Sequence, residues 1–333
     1  MGAPTMADVA RLAGVSKKTI SNYFNGYPYI RPETRARIEA AVGELNYKLN
    51  ISARNLSSGR TGTIALAIPE IAHPYFAELA QAVVSAAQRR GLNVVVEVTD
   101  GDHDRELAIL RGENGRFFDG LLFHPIALDA GDIASSTLDV PMVLIGDRVH
   151  GGRFDFVTVS NVDGAYEMTR LLLENGRRRI VALGMERSDL PTAAALRYAG
   201  YARALAEAGI VQDDDLLVGP IPWNRRSGAD AIADVIERGI AFDAVFGFND
   251  SLALGALNEL QRRGLRIPDD VSVVGFDDVQ EAALAYPPLT TLDSGRDWIA
   301  ESAVARLAER LGTADLEPEV LVAVHRVVRR DSV

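Results

Sequence analysis

Thr5-Met6-Ala7-Asp8-Val9-Ala10-Arg11-Leu12-Ala13-Gly14-Val15-Ser16-Lys17-Lys18-Thr19-Ile20-Ser21-Asn22-Tyr23-Phe24-Asn25 reads as two short helices joined at a glycine. Thr5 is a natural N-cap, and Asp8 three residues on completes a capping-box pattern. Gly14 suits a turn residue with positive φ. Ser16 is placed to cap the second helix. Ile20 and Phe24 lie one turn apart and face inward. Lys18, Asn22 and Asn25 follow the opposite side, with Lys17 and Ser21 beside them. Pro32 opens a third helix, where its missing N–H is harmless. Ile38, Val42 and Leu45 give that helix an apolar stripe. This is helix-turn-helix spacing, in which the second helix enters the DNA major groove. A small helical bundle with a solvated charged face has the same periodicity.

Charge separates the two readings. Residues 1–60 hold nine Lys/Arg (Arg11, Lys17, Lys18, Arg31, Arg35, Arg37, Lys48, Arg54, Arg60) against four acids (Asp8, Glu33, Glu39, Glu44), a net of +5. The whole chain carries −11, so the remaining residues carry −16. An acidic protein with one basic module meets polyanions through that module. At 333 residues the chain exceeds one comfortable core, and two or three domains are expected. Zero Cys leaves no disulfide or thiolate metal site and suits a reducing cytosol. No apolar leader opens the chain and no later run is long enough to span a membrane. A cytoplasmic protein without membrane contact is expected.

From Thr63 the rhythm is strand-helix-strand-helix. Thr63–Ile68, Asn93–Val98, Gly120–Phe123 and Val140–Gly146 read as strands, with helices over 75–90 and 103–116. A second set begins near Asn161, with helices over 162–175, 193–209 and 250–263. Its strands are Arg179–Leu183, Ala244–Gly247 and Val271–Gly275. Such alternation predicts parallel sheets with right-handed crossovers. Two similar halves predict a two-lobed body with a cleft between the sheets.

Ligands of open α/β sheets sit outside the carboxyl ends of strands, so strand ends supply the candidate cleft residues. Tyr75 and Phe76 follow the first strand in His73-Pro74-Tyr75-Phe76. His124 follows the third, and Asp147 and Arg148 the fourth. Asn161 lies just after Val157-Thr158-Val159-Ser160. Arg197 precedes Tyr198-Ala199-Gly200-Tyr201. Trp223 stands in a turn-rich loop with Pro220, Pro222 and Asn224. Asn249 and Asp277 end strands. Carboxylates, amides and Arg give paired hydrogen bonds to sugar hydroxyls, and aromatic faces cover C–H surfaces. Plainer roles compete at some positions. Asp250 suits a helix N-cap as well as a ligand contact, Asp278 suits a structural role, and Tyr75 and Phe76 suit a core as well as a lid.

No catalytic constellation competes. The five His are scattered without a His-x-x-x-His pair. There is no Gly-x-x-x-x-Gly-Lys loop, Gly-x-Ser-x-Gly elbow or Gly-x-Gly-x-x-Gly turn. The expectation is a protein that is not an enzyme, with no cofactor and no metal. A transporter's solute-binding protein would explain the two lobes alone and needs an export signal. A doubly wound enzyme explains neither the basic module nor the missing chemistry.

Asp8-Val9-Ala10, Ala13-Gly14-Val15-Ser16, Thr19-Ile20-Ser21, Asn25-Gly26, Glu33-Thr34-Arg35, Leu45-Asn46-Tyr47 and Asn50-Ile51-Ser52-Ala53-Arg54-Asn55-Leu56 together resemble the headpiece of the LacI/GalR (lactose-repressor) family. The similarity continues to Arg329-Arg330-Asp331-Ser332. It implies an all-α helix-turn-helix headpiece plus an α/β two-lobed, periplasmic-binding-protein-like sensor with parallel sheets. The implied domains are 1–49 for DNA binding, 50–61 for a hinge helix and linker, and 62–333 for effector binding and dimerisation. The chain then crosses three times between lobes, lobe one holding about 62–160 and 292–319 and lobe two about 161–291 and 320–333. Helix 295–311 would return to the first lobe and strand 320–328 to the second.

The resemblance also implies a transcriptional regulator, with repression the leading expectation, allosterically controlled by a small molecule. A sugar is the leading effector and a purine-like one the alternative. A homodimer would bind near-palindromic double-stranded operator DNA. Val333 follows the last strand with no heptad tail, so a dimer is expected rather than a tetramer. DNA contacts would come from Thr5, Ser16, Lys17, Lys18, Thr19, Ser21, Asn22 and Asn25, and from the hinge residues Asn50, Ala53 and Leu56. Arg197, Asn249 and Asp277 match effector-contacting positions. Three departures leave the operator sequence open: Asn22 in place of a common Arg, Leu49 in place of a common Pro, and Arg31 where a small N-cap is usual.

Overall fold

The computed structural model describes residues 4–24, 27–47, 60–113, 117–148, 152–313 and 316–333. Contacts divide the chain into two compact units, Met1–Thr61 and Gly62–Val333. Asn25, Asn50, Ala53 and Leu56 lie outside the described residues, as does most of the stretch expected to form the hinge.

The first unit contains α1 (Met6–Ala13), α2 (Lys17–Phe24) and α3 (Pro32–Glu44). The Thr5 hydroxyl accepts from the Asp8 amide at 3.3 Å, and the Asp8 carboxylate accepts from the Thr5 amide at 3.0 Å. Two orphan donors at the start of α1 are thus satisfied reciprocally. Gly14 ends α1 at φ 64°, a left-handed conformation that costs glycine no Cβ clash. The Ser16 hydroxyl accepts from the Thr19 amide at 3.1 Å and so caps α2. Val9, Ala13, Ile20, Ile38 and Tyr47 are buried together, with Phe24, Val42 and Leu45 packed against them. Arg31 precedes α3 and makes no side-chain cap.

The second unit opens with β1 (Thr63–Ile68), α4 (Pro74–Arg89), β2 (Asn93–Val98), α5 (His103–Arg111), β3 (Gly120–Phe123), α6 (Ala130–Ala134), β4 (Met142–Ile145) and β5 (Asp155–Val159). Then follow α7 (Asn161–Glu174), β6 (Ile180–Leu183), α8 (Ala193–Glu207), β7 (Leu217–Val218), α9 (Arg225–Glu237), β8 (Ala244–Gly247), α10 (Asp250–Arg262), β9 (Ser272–Val274), α11 (Gln280–Leu284) and β10 (Thr291–Asp293). It ends with α12 (Arg296–Gly312), β11 (Val320–Ala323) and β12 (Arg326–Val328). One sheet has the order β11-β5-β4-β3-β1-β2 and the other β7-β6-β8-β9, every pairing parallel. β1 reads as an unbroken apolar run because both its faces are covered. Ile64, Leu66 and Ile68 meet Leu79 and Val83 of α4 and Ile299, Val304 and Leu307 of α12. Ala65 and Ala67 share the opposite face with Ile109 and Leu110 of α5.

The chain passes between the sheets after β5, after β10 and after β11. The last crossing corrects the expectation for 320–328. That stretch is two strands in two places. Val320–Ala323 pairs in parallel with β5, at the edge of the first sheet. Arg326–Val328 pairs antiparallel with β10, beside the second lobe's core. The periodicity continues across Val324-His325, so the sequence shows one strand where the backbone changes partner. Helix α9 and strand β7 are further elements beyond those expected.

A buried charge cluster fixes the first half. The Asp155 carboxylate, fully inaccessible, accepts from Arg306 Nε at 2.9 Å, from Arg310 Nε and from the Glu319 amide at 2.8 Å. Burial pushes this carboxyl up, and the two guanidinium hydrogen bonds with the Glu319 amide outweigh burial and hold it below its ordinary value.

Candidate functional site

The lobes enclose a cavity of about 510 Å³. That is within the usual range for a small-molecule site. Its walls come from strand ends in both lobes and from the helices α4 and α8. Tyr75, Phe76, His124, Asp147, Arg148, Arg197, Trp223 and Asp277 all line it.

Asn161 and Asn249 do not line it. Asn249 is fully buried and is the N-cap of α10, its Oδ1 accepting from the Leu252 amide at 2.8 Å. Its Nδ2 donates to the Trp223 carbonyl at 3.3 Å and lies 2.8 Å from His73 Nε2 in the other lobe. The N-cap role considered for Asp250 thus belongs to its neighbour. Asp250 is buried and accepts from the Thr291 hydroxyl at 2.5 Å and the Val279 amide at 2.9 Å. Asp278 pairs with Arg330 at 2.6 Å.

Aromatic rings form one wall. Phe76 meets Tyr75, His73 and His124 at centroid separations of 5.3, 5.4 and 5.0 Å. Gly146 lets His124 approach the end of β4 closely, since a Cβ there would come within 2.8 Å of the imidazole. Gly184 does the same for Trp223, whose Nε1 donates to the Gly184 carbonyl at 3.1 Å. On the first-lobe side, Glu106 accepts from the Ile126 and Ala127 amides at 3.0 and 2.9 Å and holds the loop carrying His124.

Burial governs the charge states. It pushes both His73 and His124 down to about 4, so each imidazole is neutral near pH 7. It raises the Tyr75 hydroxyl well above its ordinary value. Asp277 is pushed up to about 7 by burial, against the pull of Arg197 and Arg296. Its backbone sits at φ 115°, a strained conformation for a residue with a Cβ. His124 Nδ1 and Ser294 Oγ are buried without a partner on this wall.

Arg197 is the centre of the second-lobe wall. Its guanidinium carbon lies 3.6 Å from the Phe276 ring centroid and 5.2 Å from Trp223. Nη1 donates to the Phe248 carbonyl, Nε donates to Asn161 Oδ1 at 2.7 Å, and Nη2 is 3.5 Å from Asp277. The residues named from sequence do not include Glu186, Thr192 and Ser294, which also line the cavity. Glu186 follows β6, so the strand-end rule reaches it. Nothing in the sequence marks Ser294, which lies on a crossover.

In the first unit, Ser16, Lys17 and Lys18 are exposed, and Thr19, Ser21 and Asn22 are half-buried along α2. The Thr5 hydroxyl is engaged by Asp8 at 2.7 Å. Tyr27 and Tyr29, not singled out from sequence, are exposed beyond α2, and the Tyr27 amide donates to the Asn22 carbonyl at 3.0 Å.

Residues 5–50 match the model of bacterial regulatory proteins, lacI family, and residues 169–333 that of a periplasmic binding protein-like domain. The chain is 31% identical over 331 residues to the HTH-type transcriptional regulator RegA of Clostridium saccharobutylicum, covering 99% of each. It belongs to the LacI family of bacterial transcriptional regulators. As a LacI-family chain it is a DNA-binding regulator and not an enzyme.

Solved LacI-family structures agree with the fold. One is a regulator from Sanguibacter keddieii, 43% identical, with TM-score 0.76, covering 82% of this chain and 98% of that one. The CelR–cellobiose complex is 30% identical with TM-score 0.71, covering 99% of both. The lac repressor dimer bound to operator and the anti-inducer ONPF is 26% identical with TM-score 0.86, also covering 99% of both. Among the described residues no helix is long and apolar enough to cross a membrane, and no cluster of His, Asp or Glu could hold a metal ion.

Proposed function

We propose that this protein is a dimeric repressor released from, or fixed on, its operator by a neutral sugar held between the lobes. The observation that carries the reading is the composition of the cavity. Aromatic rings cover one wall, while Asp147, Arg197 and Asp277 offer hydrogen bonds on the others. That pairing suits a molecule with C–H faces and many hydroxyls. Glu70, Glu186, Asp147 and Asp277 outnumber Arg148 and Arg197 in the lining, which disfavours a phosphorylated or acidic ligand. The cellobiose bound by CelR supports a sugar. The lac repressor dimer on its operator supports dimeric DNA binding.

Lys17, Lys18, Ser21 and Asn22 would read the operator from α2, with residues 1–49 as DNA-binding domain, 50–61 as hinge and 62–333 as sensor. The sugar would act by binding one lobe arrangement more tightly than another. The test is a thermal-shift screen of neutral mono- and disaccharides alongside purine bases, followed by operator titration with each hit. A sugar that stabilises the protein and changes operator affinity is the expected result. A shift from purines alone, or none from any sugar, rejects the sugar. Stabilisation without any change at the operator rejects allosteric control.

A further inference from the structure

Asp147 and Arg197 face the cavity from opposite lobes, and one side chain joins them. Asn161 Nδ2 donates to Asp147 Oδ1, and Asn161 Oδ1 accepts from Arg197 Nε at 2.7 Å. Asn161 is 2% exposed and Arg197 5%. Asn161 is the first residue of α7, directly after the crossing that leaves β5. From that side Thr158 adds its hydroxyl to the same Asp147 oxygen at 3.3 Å.

We infer that Asn161 is a positioning residue that couples the two effector anchors across the first interlobe crossing while touching no ligand itself. This rests on the proposed effector cleft. The chemistry selects an amide. Asp147 needs a donor and Arg197 needs an acceptor, and both must come from one short side chain in a dry place. An ionised Asp in its place would offer two acceptors and set two carboxylates together. Leu would match the shape and offer neither. Rotation of the lobes about this crossing stretches one bond or the other, so the position of Asn161 makes the anchors respond to lobe angle as a pair.

The decisive experiment uses the full-length protein without ligand. Thermal unfolding of Asn161→Asp, Asn161→Leu and wild type is followed from about pH 8 to about pH 5, each variant against wild type at the same pH. The carboxyl introduced by Asn161→Asp would face Asp147, Arg197 and, through Arg197, Asp277, and burial beside a second carboxylate favours its protonation. Once protonated it donates to Asp147 and accepts from Arg197. The Asn161→Asp deficit in Tm therefore shrinks by about half as pH falls, while the Asn161→Leu deficit holds constant. The exchanged pair, Asp147→Asn with Asn161→Asp, restores a donor facing an acceptor and recovers Tm above either single change.

A deficit for Asn161→Asp that is the same at every pH, or an exchanged pair no better than its worse parent, overturns the inference and leaves Asn161 a packing residue. If Asn161→Asp does not fold, Asn161→Ser must keep more Tm than Asn161→Ala, because a hydroxyl both donates and accepts; equality of the two also overturns it. Cellobiose and D-ribose serve as probes of the anchors. For whichever shifts wild-type Tm, Asn161→Leu should need at least about tenfold more sugar for the same shift. If neither acts on wild type, cellobiose and D-ribose are not effectors of this protein, and the unliganded measurements still decide Asn161.

Discussion

At the scale of single residues, two buried carboxylates make opposite demands on pH. Asp155 is held below its ordinary value, so its stabilising effect is fully present above the unfolded pKa of about 4 and is lost as pH falls through the folded value. Asp155→Asn leaves Arg306 and Arg310 short of a counter-charge in a buried place. It should cost about 3–5 kcal/mol in urea unfolding near pH 7. Asp277 behaves the other way. Its folded pKa is about 7, above the unfolded value, so its stabilising effect is present at acid pH and declines as pH rises toward 7. Asp277→Asn should flatten that decline in a Tm-versus-pH series, raise Tm at pH 8 and abolish the effector response. A steeper decline in the variant would contradict the assignment. These residues also mark what the sequence could say of the site. The strand-end rule reached Tyr75, His124, Asp147 and Asp277, which line the cavity, because a parallel sheet delivers its strand ends to one rim; Arg197, inside α8, was reached through the family resemblance. The rule could not tell which way a side chain turns there. Asn249 caps α10, and Asn161 turns behind the wall. His73 acquires its neutral state from burial, which no local pattern encodes.

At the scale of elements, α2 is the proposed recognition helix. Asn22→Ala should cost about 1–3 kcal/mol on the cognate operator and relax one base position. Fluorescence anisotropy on single-base operator variants reads both effects, and uniform weakening on every sequence would make Asn22 a backbone contact. The helices of the first unit were legible because their signals are local: Thr5 with Asp8, Gly14 at positive φ, Ser16, and Pro32 at the head of α3. The strands with continuous apolar runs were legible for a different reason, being covered on both faces. Strand β11 was not. Val320 and Val322 are about half exposed on an edge, so burial does not dictate their face. Their partner is set by Asp155 holding the Glu319 amide, 164 residues away in the chain. Helix α9 was missed although Gly228, Ala231, Ile232 and Val235 bury one face at helical spacing: its polar opening Arg225-Arg226-Ser227-Gly228 hides the start of that face, and Gly228 is there because a Cβ would come within 2.2 Å of the Leu252 carbonyl of α10.

For the whole molecule, ligand binding and stability are one equilibrium. An effector at about 100 times its Kd should add about 2.7 kcal/mol, seen as a rise of several degrees in Tm. Arg197→Ala should remove that rise while operator affinity in the absence of effector stays within about twofold. A variant that still responds at the same effector concentration would remove Arg197 from the site. The three passages between lobes bear on a different matter, the order in which the chain can fold as it is made. The first sheet has its strands β1 to β5 by residue 159, yet α12, which covers Ile64 and Leu66, ends at Gly312. Its edge strand β11 comes later still. A nascent chain therefore leaves the ribosome with that face of the sheet covered by α4 alone while the entire second lobe is translated, on the order of ten seconds at ordinary elongation rates. Early-born and late-finished, the first lobe lacks α12 and β11 throughout that interval, and a fragment ending before Arg296 should aggregate even though it contains five of the six strands.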